Sequence, residues 1–492
     1  MEQTPLTEPA TAARPISASR KLLAWVVLIA ALAGTAAFKY DEHTRPALLT
    51  GPMVQLPASD RIVIQWTANA PFEQAKVLVR AAGETIADVH KVRPQDGRYL
   101  LELDHLPPDT TYQYTIQIRG LWSRTALTSG PHTFRTPPSR RANIRFLAFG
   151  DSGVGSNTQA LLADRMRACS PDFIIHTGDL IYPTGARDDY LDNFYRPYQR
   201  LLPTSFFLPC LGNHDVVTEQ GQPLLDEFSL PPNGPEGVQV ERNYYFDYGP
   251  ARFVALDTNL KEPDGAIPLE TMQTSVADWL RDVLTNCDAK WKFVYFHHPF
   301  YTNSAHAAEG SAHLKKAFVE ILEECNVDIV FNGHNHLYER TAPLYQDEIV
   351  EESQIGLTNL RLSGSALRMR DPTDDQKRRS LLSTGGAIDR RPANAPEVER
   401  GDESPEPSSV RYADANGQHG VIYIVTGAGG AHRYPANPNP PAYIRTYNDA
   451  VFSFTDIELR PNVCWVRQID TTGKAIDRFV IRKGPDPARG TD

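Results

Sequence analysis

The sequence predicts an α/β domain over residues 141–482, preceded by a β-sandwich over residues 50–138 and by an apolar N-terminal segment. Three observations predict this organisation. At 492 residues the chain exceeds one ordinary domain. Residues 52–137 divide into strand-sized segments between turn signals, with no helical periodicity. After Arg141 the pattern changes to apolar runs that alternate with helical stretches. A composition of 41% hydrophobic and 22% charged residues is that of a globular protein. Fifty basic against sixty acidic residues give a net charge of −10, which argues against a nucleic-acid binder whose affinity comes from neutralising phosphates. Five cysteines, none before Cys169, exclude a disulfide-dense scaffold, and no CxxC pair suggests a thiolate metal site. Cys169, Cys210, Cys287 and Cys325 are read as core residues, although an exported domain could join two of them.

From Leu22 to Phe38 the chain carries no charge, and Arg20-Lys21 and Lys39 bracket the run. A helix of that length spans roughly 26 Å, close to the hydrocarbon thickness of about 30 Å. Residues 1–40 are therefore read as a cytoplasmic tail plus signal anchor, favoured over a cleaved signal peptide, although Ala31-Leu32-Ala33 forms an A-x-A cleavage pattern. Either reading exports residues 41 onward. The protein would then be membrane-anchored and face the periplasm or exterior, or be secreted if the segment is cleaved.

The sandwich is expected from RIVIQWTA, AKVLVRA, RYLLELDHL, TYQYTIQIRG and HTFRTPP. The stretch Leu106 to Tyr114, with Trp66 upstream, resembles the tyrosine-corner strand of a fibronectin type III-like domain. This domain offers no cysteine and few histidines, so it is silent as a site.

In the second domain the runs IRFLAFGD, DFIIHTGD, FFLPCLGNHD, RFVALDTN, KFVYFHHP and DIVFNGHNH fit strands buried on both faces, with helices expected at 158–169, 273–285 and 310–325. Most of them end in Asp, Asn or His, and ligands in open α/β sheets gather beyond the carboxyl ends of strands. One rim of the sheet is therefore expected to collect the polar chemistry. Between residues 368 and 420 the chain turns Pro-, Ser-, Arg- and Glu-rich, which reads as a mobile, disordered insertion. VFSFTDIEL and NVCWVRQID then suggest a closing antiparallel hairpin.

Seven of the fourteen histidines lie between His214 and His336, and their neighbours give the enrichment its meaning. In order the chain presents Gly150-Asp151-Ser152-Gly153, Gly178-Asp179-Leu180-Ile181-Tyr182, Gly212-Asn213-His214-Asp215, Val294-Tyr295-Phe296-His297 and Gly333-His334-Asn335-His336-Leu337-Tyr338-Glu339-Arg340. Two cations held about 3.5–4 Å apart repel, so an anionic carboxylate must bridge them while imidazoles and a carbonyl oxygen fill the outer positions. Two aspartates, one asparagine and three histidines supply that set. Glycines beside the donors let the backbone turn sharply at each strand end. In Gly-His-Asn-His, residues two apart on an extended loop point the same way, so His334 and His336 can reach neighbouring ions. His176 and His313 fall on no motif position and read as ordinary packing or surface residues.

These five blocks, in this order, resemble the metallophosphoesterase (calcineurin-like phosphoesterase) superfamily and, within it, the purple acid phosphatases. The match covers roughly residues 141–480, and a fibronectin-like domain ahead of it is similar to the architecture of the plant enzymes. The resemblance implies a four-layer αββα sandwich with a dinuclear metal centre at the strand ends. It implies Asp151, Tyr182 and His336 around Fe(III), Asp179 as the bridge, and Asn213, His297 and His334 around a second ion, which would be Zn, Mn or Fe(II). It further implies His214 facing the phosphate, Asp215 orienting the His214 ring, and His306 as an accessory phosphate-binding residue, although the family's second histidine there is Ala307 in this chain. His298 receives no role.

The expected activity is hydrolysis of phosphoric monoesters, small phosphate-ester substrates, by attack of a metal-bound hydroxide. A phosphodiesterase on the same metal core is the alternative within the enzyme class. A surface binding protein with an inert phosphatase core is the alternative outside it, and the complete set of donor positions counts against that reading. Nothing in the sequence speaks to the oligomeric state.

Overall fold

A computed structural model describes residues 25–30, 46–69, 75–119, 126–261, 265–304, 311–350, 358–359 and 420–483. The apolar run 22–38 lies outside these residues except for a helical segment at 25–30, and the insertion expected at 368–420 lies outside them except for Gly420. Among the described residues no helix is long and apolar enough to cross a membrane.

The N-terminal domain is built from β1 (Leu48–Ala58), β2 (Arg61–Ala68), β3 (Ala75–Ala81), β4 (Asp88–Val92), β5 (Arg98–Leu103), β6 (Thr111–Arg119) and β7 (Ala126–Arg135). They form a three-stranded sheet, β1-β2-β5, and a four-stranded sheet, β4-β3-β6-β7. Residues alternate between core and solvent along β3, β5 and β6, as half-buried antiparallel strands require. Trp66 of β2 and Tyr99 of β5 stack at 5.2 Å inside this core. The Tyr114 hydroxyl crosses into the next domain and donates to the Pro203 carbonyl at 2.9 Å. Val54 N–H donates to the Leu202 carbonyl at 2.9 Å, and Arg98 pairs with Glu227 at 2.8 Å. The two domains therefore share one continuous apolar core.

In the second domain β8 (Ile144–Phe149), β9 (Phe173–His176) and β10 (Phe206–Pro209) run parallel. The chain continues through β11 (Tyr244–Tyr248), β12 (Ala251–Ala255), β13 (Trp291–Tyr295), β14 (Ile329–Asn332) and β15 (Tyr338–Thr341). A small hairpin, β16 (Leu344–Tyr345) and β17 (Glu348–Ile349), and β18 (Thr358–Asn359) follow. The last strands are β19 (Ile422–Thr426), β20 (Ile444–Asn448), β21 (Ser453–Leu459), β22 (Val463–Asp470) and β23 (Ala475–Arg482). Two seven-stranded sheets result, ordered β10-β9-β8-β21-β22-β23-β18 and β11-β12-β13-β14-β19-β15-β20. The hairpin expected from VFSFTDIEL and NVCWVRQID is the antiparallel β21–β22 pair.

Strand alternation explains how the sheets stack. Phe253, Phe293 and Phe331 point inward, where Phe146 of β8 meets them at 4.9, 5.4 and 6.2 Å and stacks on Phe173 at 5.2 Å. Their chain neighbours Val254, Val294 and Val330 point to the opposite face. There they pack with Leu280 and Leu284 of the helix Ala277–Thr285 and with Leu314, Phe318 and Leu322 of the helix Ser311–Glu324. On the other sheet the helix Asn157–Cys169 buries Leu162, Ala163, Met166 and Cys169, and Ser156 caps it by accepting from Gln159 N–H. The second domain is thus two stacked mixed sheets with helices outside. The six apolar runs are strands, but they belong to two sheets, so the rim expected on one sheet is the shared edge of both.

Phe146 touches aromatic rings of both sheets and is fully buried. Phe146→Ala should cost about 3–5 kcal/mol, the range for an aromatic deleted from a core. Equilibrium urea unfolding of the two proteins checks the figure.

Candidate metal centre

Each candidate metal donor that the structure describes sits beyond the carboxyl end of a strand. Asp151 follows β8, Asp179 and Tyr182 follow β9, and Asn213 and His214 follow β10. His297 follows β13, and His334 and His336 follow β14. Asp151, Asp179 and His334 adopt positive φ values of 57°, 54° and 68°. These are left-handed turns that non-glycine residues accept at a cost, and such strain gathers at functional sites. The flanking glycines are required by contact. A Cβ on Gly212 would lie 2.1 Å from Asp179 N, one on Gly333 2.6 Å from Asp151 Oδ2, and one on Gly178 2.7 Å from His297 Nδ1.

The side chains converge in two sets that meet at Asp179. In the first, the Tyr182 hydroxyl is 2.9 Å from Asp179 Oδ2, 2.9 Å from His336 Nε2 and 3.4 Å from Asp151 Oδ1. In the second, Asn213 Oδ1 is 2.9 Å from His297 Nε2 and 2.9 Å from His334 Nδ1. His297 Nε2 lies 3.4 Å from the same Asp179 Oδ2. One ligand atom each from Asp151, Asp179 and His297 falls within 4.8 Å of the others, as does one each from His297, His298 and His334.

The chemistry of these contacts tests whether cations fit. His297 Nδ1 stands 2.8 Å from the Thr177 carbonyl and carries the proton given to it, so in the neutral ring Nε2 turns a lone pair toward the lone pairs of Asn213 and Asp179. His336 Nδ1 is likewise engaged by the His432 carbonyl, which turns Nε2 toward Tyr182 and Asp151. One phenolic proton on Tyr182 faces three acceptors. Acceptors packed against acceptors need positive charge among them. Donors about 2.1 Å from a cation and at right angles to one another lie about 3.0 Å apart, which is the spacing found here. Asp151 and Asp179 are fully buried, and among the described residues neither pairs with a lysine or arginine. The residues fit a pair of metal ions.

The electrostatics agree. Burial raises the Asp151 carboxyl, a shift that the His336 hydrogen bond only partly offsets. Burial alone would raise Asp179 as well, but the charge and hydrogen bond of His297 hold it well below the usual carboxylate range. Burial opposes protonation of His297, and the attraction of Asp179 overrides it and lifts the ring to about 9. Burial, reinforced by Asp179 and Asp151, pushes the Tyr182 phenol far above its ordinary value. The carboxylates thus create a negative potential that draws cationic charge inward.

His214 lies beside this cluster, partly exposed. Its N–H donates to Asp179 Oδ1 at 2.8 Å, its Nδ1 is 2.6 Å from the Pro183 carbonyl, and its Nε2 is 4.0 Å from Asp179 Oδ2. The expectation that Asp215 orients this ring needs correction. The Asp215 carboxylate accepts instead from the N–H groups of Leu180, Ile181 and Gly212 at 2.9–3.1 Å and ties the Asp179 and Asn213 loops together. The ring is set by Pro183. Burial and the nearby Asp179 charge push Asp215 up to about 7. His306 lies outside the described residues. His176 packs against Phe149 and Phe207 and contacts Ser152 Oγ at 3.0 Å, so it serves the core.

Three residues at the centre escaped the sequence reading. Tyr434 stacks on His336 at 4.1 Å, and His432 holds its Nδ1. Both come from a segment about a hundred residues downstream, with no motif to announce them. His298, buried beside His297 and His334, had only its place next to His297 as a signal.

Residues 144–338, which carry these strand-end donors, match the calcineurin-like phosphoesterase family model. The proteins this chain is similar to include purple acid phosphatases. Purple acid phosphatase 21 of Arabidopsis thaliana is 28% identical over 278 residues, 54% of this chain and 58% of its own. Probable purple acid phosphatase 20 of the same plant is 25% identical over 393 residues, 71% of this chain and 86% of its own. Among solved structures, purple acid phosphatase PPD1 from yellow lupin (Lupinus luteus) seeds shares the fold, with a TM-score of 0.63 and 17% identity over 89% of this chain and 75% of its own.

Glu339, at the end of the last motif, is buried and accepts Asn303 N–H at 2.9 and 3.0 Å, which fixes the loop after β13. Burial pushes its carboxyl from 4.5 up to about 7. The folded state therefore binds this proton more tightly than the unfolded state, so the contribution is full below pH 4.5 and is lost as pH rises through about 7. The loss amounts to about 3 kcal/mol. Glu339→Gln should gain on the wild type by this amount between pH 5 and 8, measured from urea midpoints.

Proposed function

We propose that this chain hydrolyses phosphoric monoesters at a dinuclear, iron-containing centre. The observation that carries this reading is Asp179 Oδ2, 2.9 Å from the Tyr182 hydroxyl on one side and 3.4 Å from His297 Nε2 on the other, an anion shared by two donor sets. Asp151, Tyr182, His336 and Asp179 would hold Fe(III), and Asn213, His297, His334 and Asp179 would hold Zn, Mn or Fe(II). When bound, the two ions would activate water for in-line attack and neutralise charge on the phosphate oxygens.

The chain's own groups do the rest. The Pro183 carbonyl fixes the His214 proton at Nδ1 and leaves Nε2, on the Asp179 side, to carry a second proton. So charged, the ring donates to a phosphate oxygen and passes its proton to the leaving alkoxide. His306 is proposed as a further phosphate contact, and Asp215 as the brace of the turns that carry Asp179 and Asn213. A diesterase reading has one specific support: a barley (Hordeum vulgare) relative, 28% identical over 263 residues, is named a nucleotide pyrophosphatase/phosphodiesterase. An inert core would predict a chain that retains no metal.

The same proposal includes the setting of the enzyme. Residues 22–38 are read as an export segment that anchors the protein to the membrane unless cleaved. The sandwich with its three plus four strands is read as fibronectin type III-like.

The test is metal content together with hydrolysis of a panel of monoesters and diesters. Two metals per chain and preference for monoesters are expected, and turnover without metal would sink the reading. His214→Ala should keep both metals and lose activity by roughly 10²–10⁴-fold. A metal analysis beside the kinetics separates that outcome from loss of a ligand. A phenolate on ferric iron should give a visible charge-transfer band in the oxidised protein, and Tyr182→Phe should bleach it while the second metal stays. An uncoloured, iron-loaded wild type would make Tyr182 a packing residue.

A further inference from the structure

One strand-end motif, Leu256-Asp257-Thr258-Asn259 after β12, has no part in the centre described so far, and one buried histidine, His298, has no assigned role. The structure joins them. Asp257 is fixed by Arg242 at 2.8 Å and accepts the Asn259 N–H at 2.9 Å, and the Asn259 side chain donates to the Leu211 carbonyl at 3.1 Å. This turn presents Thr258 Oγ1 to His298 Nδ1 at 2.9 Å. With Nδ1 engaged, Nε2 is the nitrogen left for another partner, and among the described residues it has none. The ring is nine-tenths buried and stands 5.0 Å from His297 and 5.0 Å from His334. Those are the two imidazoles that share Asn213 Oδ1, and one ring nitrogen of each of the three histidines lies within 4.8 Å of the others.

We propose that His298 is a third imidazole of the second metal position, its ring oriented by the Thr258 hydroxyl, which accepts from Nδ1–H when Nε2 ligates. The position would then be completed by Asn213, His297, His298, His334 and the shared Asp179. A hydrogen bond at the far ring nitrogen is how proteins orient a metal-binding imidazole, and the Thr258 hydroxyl, which can accept as well as donate, stands at His298 Nδ1 where the Thr177 carbonyl stands at His297 Nδ1. Three neutral nitrogens suit a borderline divalent ion such as Zn and leave the harder, carboxylate- and phenolate-rich position to iron. The inference rests on the dinuclear reading.

The experiment is zinc-edge X-ray absorption on the full chain loaded with iron and zinc, with metal content measured on the same samples. The wild type should hold two metals and give a zinc shell fitted by three imidazoles. His298→Ala should give two imidazoles, unchanged iron, and zinc lost to a chelator at least 10-fold faster. Thr258→Val, which leaves the ring but removes its anchor, should retain the fold and fall between them. Two imidazoles in the wild type, a reading that needs no variant, would overturn the proposal, as would a His298→Ala protein with an unchanged zinc shell. A wild type that holds fewer than two metals would overturn the dinuclear reading and this inference together, and the metal count distinguishes the two failures.

Discussion

The structure depends on one electrostatic constraint: two carboxylates, Asp151 and Asp179, are buried without a lysine or arginine partner among the described residues. A buried anion is tolerated only if something compensates it. Here the compensation comes from imidazoles, backbone N–H groups and room for cations. His334 N–H donates to Asp151, and His214 N–H donates to Asp179. The backbone must turn left-handed at Asp151, Asp179 and His334 to make such contacts, and the neighbouring glycines leave space for those turns. The motif glycines are therefore consequences of charge placement as much as of chain reversal.

Behind the donors lies a shell that fixes proton positions. Thr177, His432 and Pro183 each offer a backbone carbonyl to one ring nitrogen of His297, His336 and His214. Carbonyls accept only, so each of these three rings has a defined tautomer. Asp215 works by another route and binds N–H groups of two turns, which holds Asp179 and Asn213 at fixed separation.

Much of this was legible in the sequence, because the strand-end blocks join an apolar run to carboxylate, amide or imidazole donors, with a glycine beside them in four of the five. The six apolar runs were readable as strands since residues on both faces are buried, as Phe253 and Val254 illustrate. Their division between two sheets came only from the resemblance to a four-layer sandwich, because alternation reports burial and not which layer buries the residue. The role of Asp215 was misread for a related reason. Adjacency in sequence suggested contact with His214, whereas the carboxylate turns back to N–H groups some thirty residues earlier in the chain. Tyr434 and His432 were invisible because only the return of the chain through β19 brings them to the rim.

The stacking of the two sheets on Phe146 has a mechanical consequence. Asp151, Asp179, Tyr182 and Asn213 project from one sheet, and His297, His334 and His336 from the other. Each proposed metal position thus draws donors from both layers, so a cation at either one would act as a rivet across the seam. The aromatic packing sets the gap, and the rivets would hold the layers in register at its rim. Slippage of one sheet against the other would then loosen both metals at once, so sheet alignment and metal retention would form a single cooperative property of this domain.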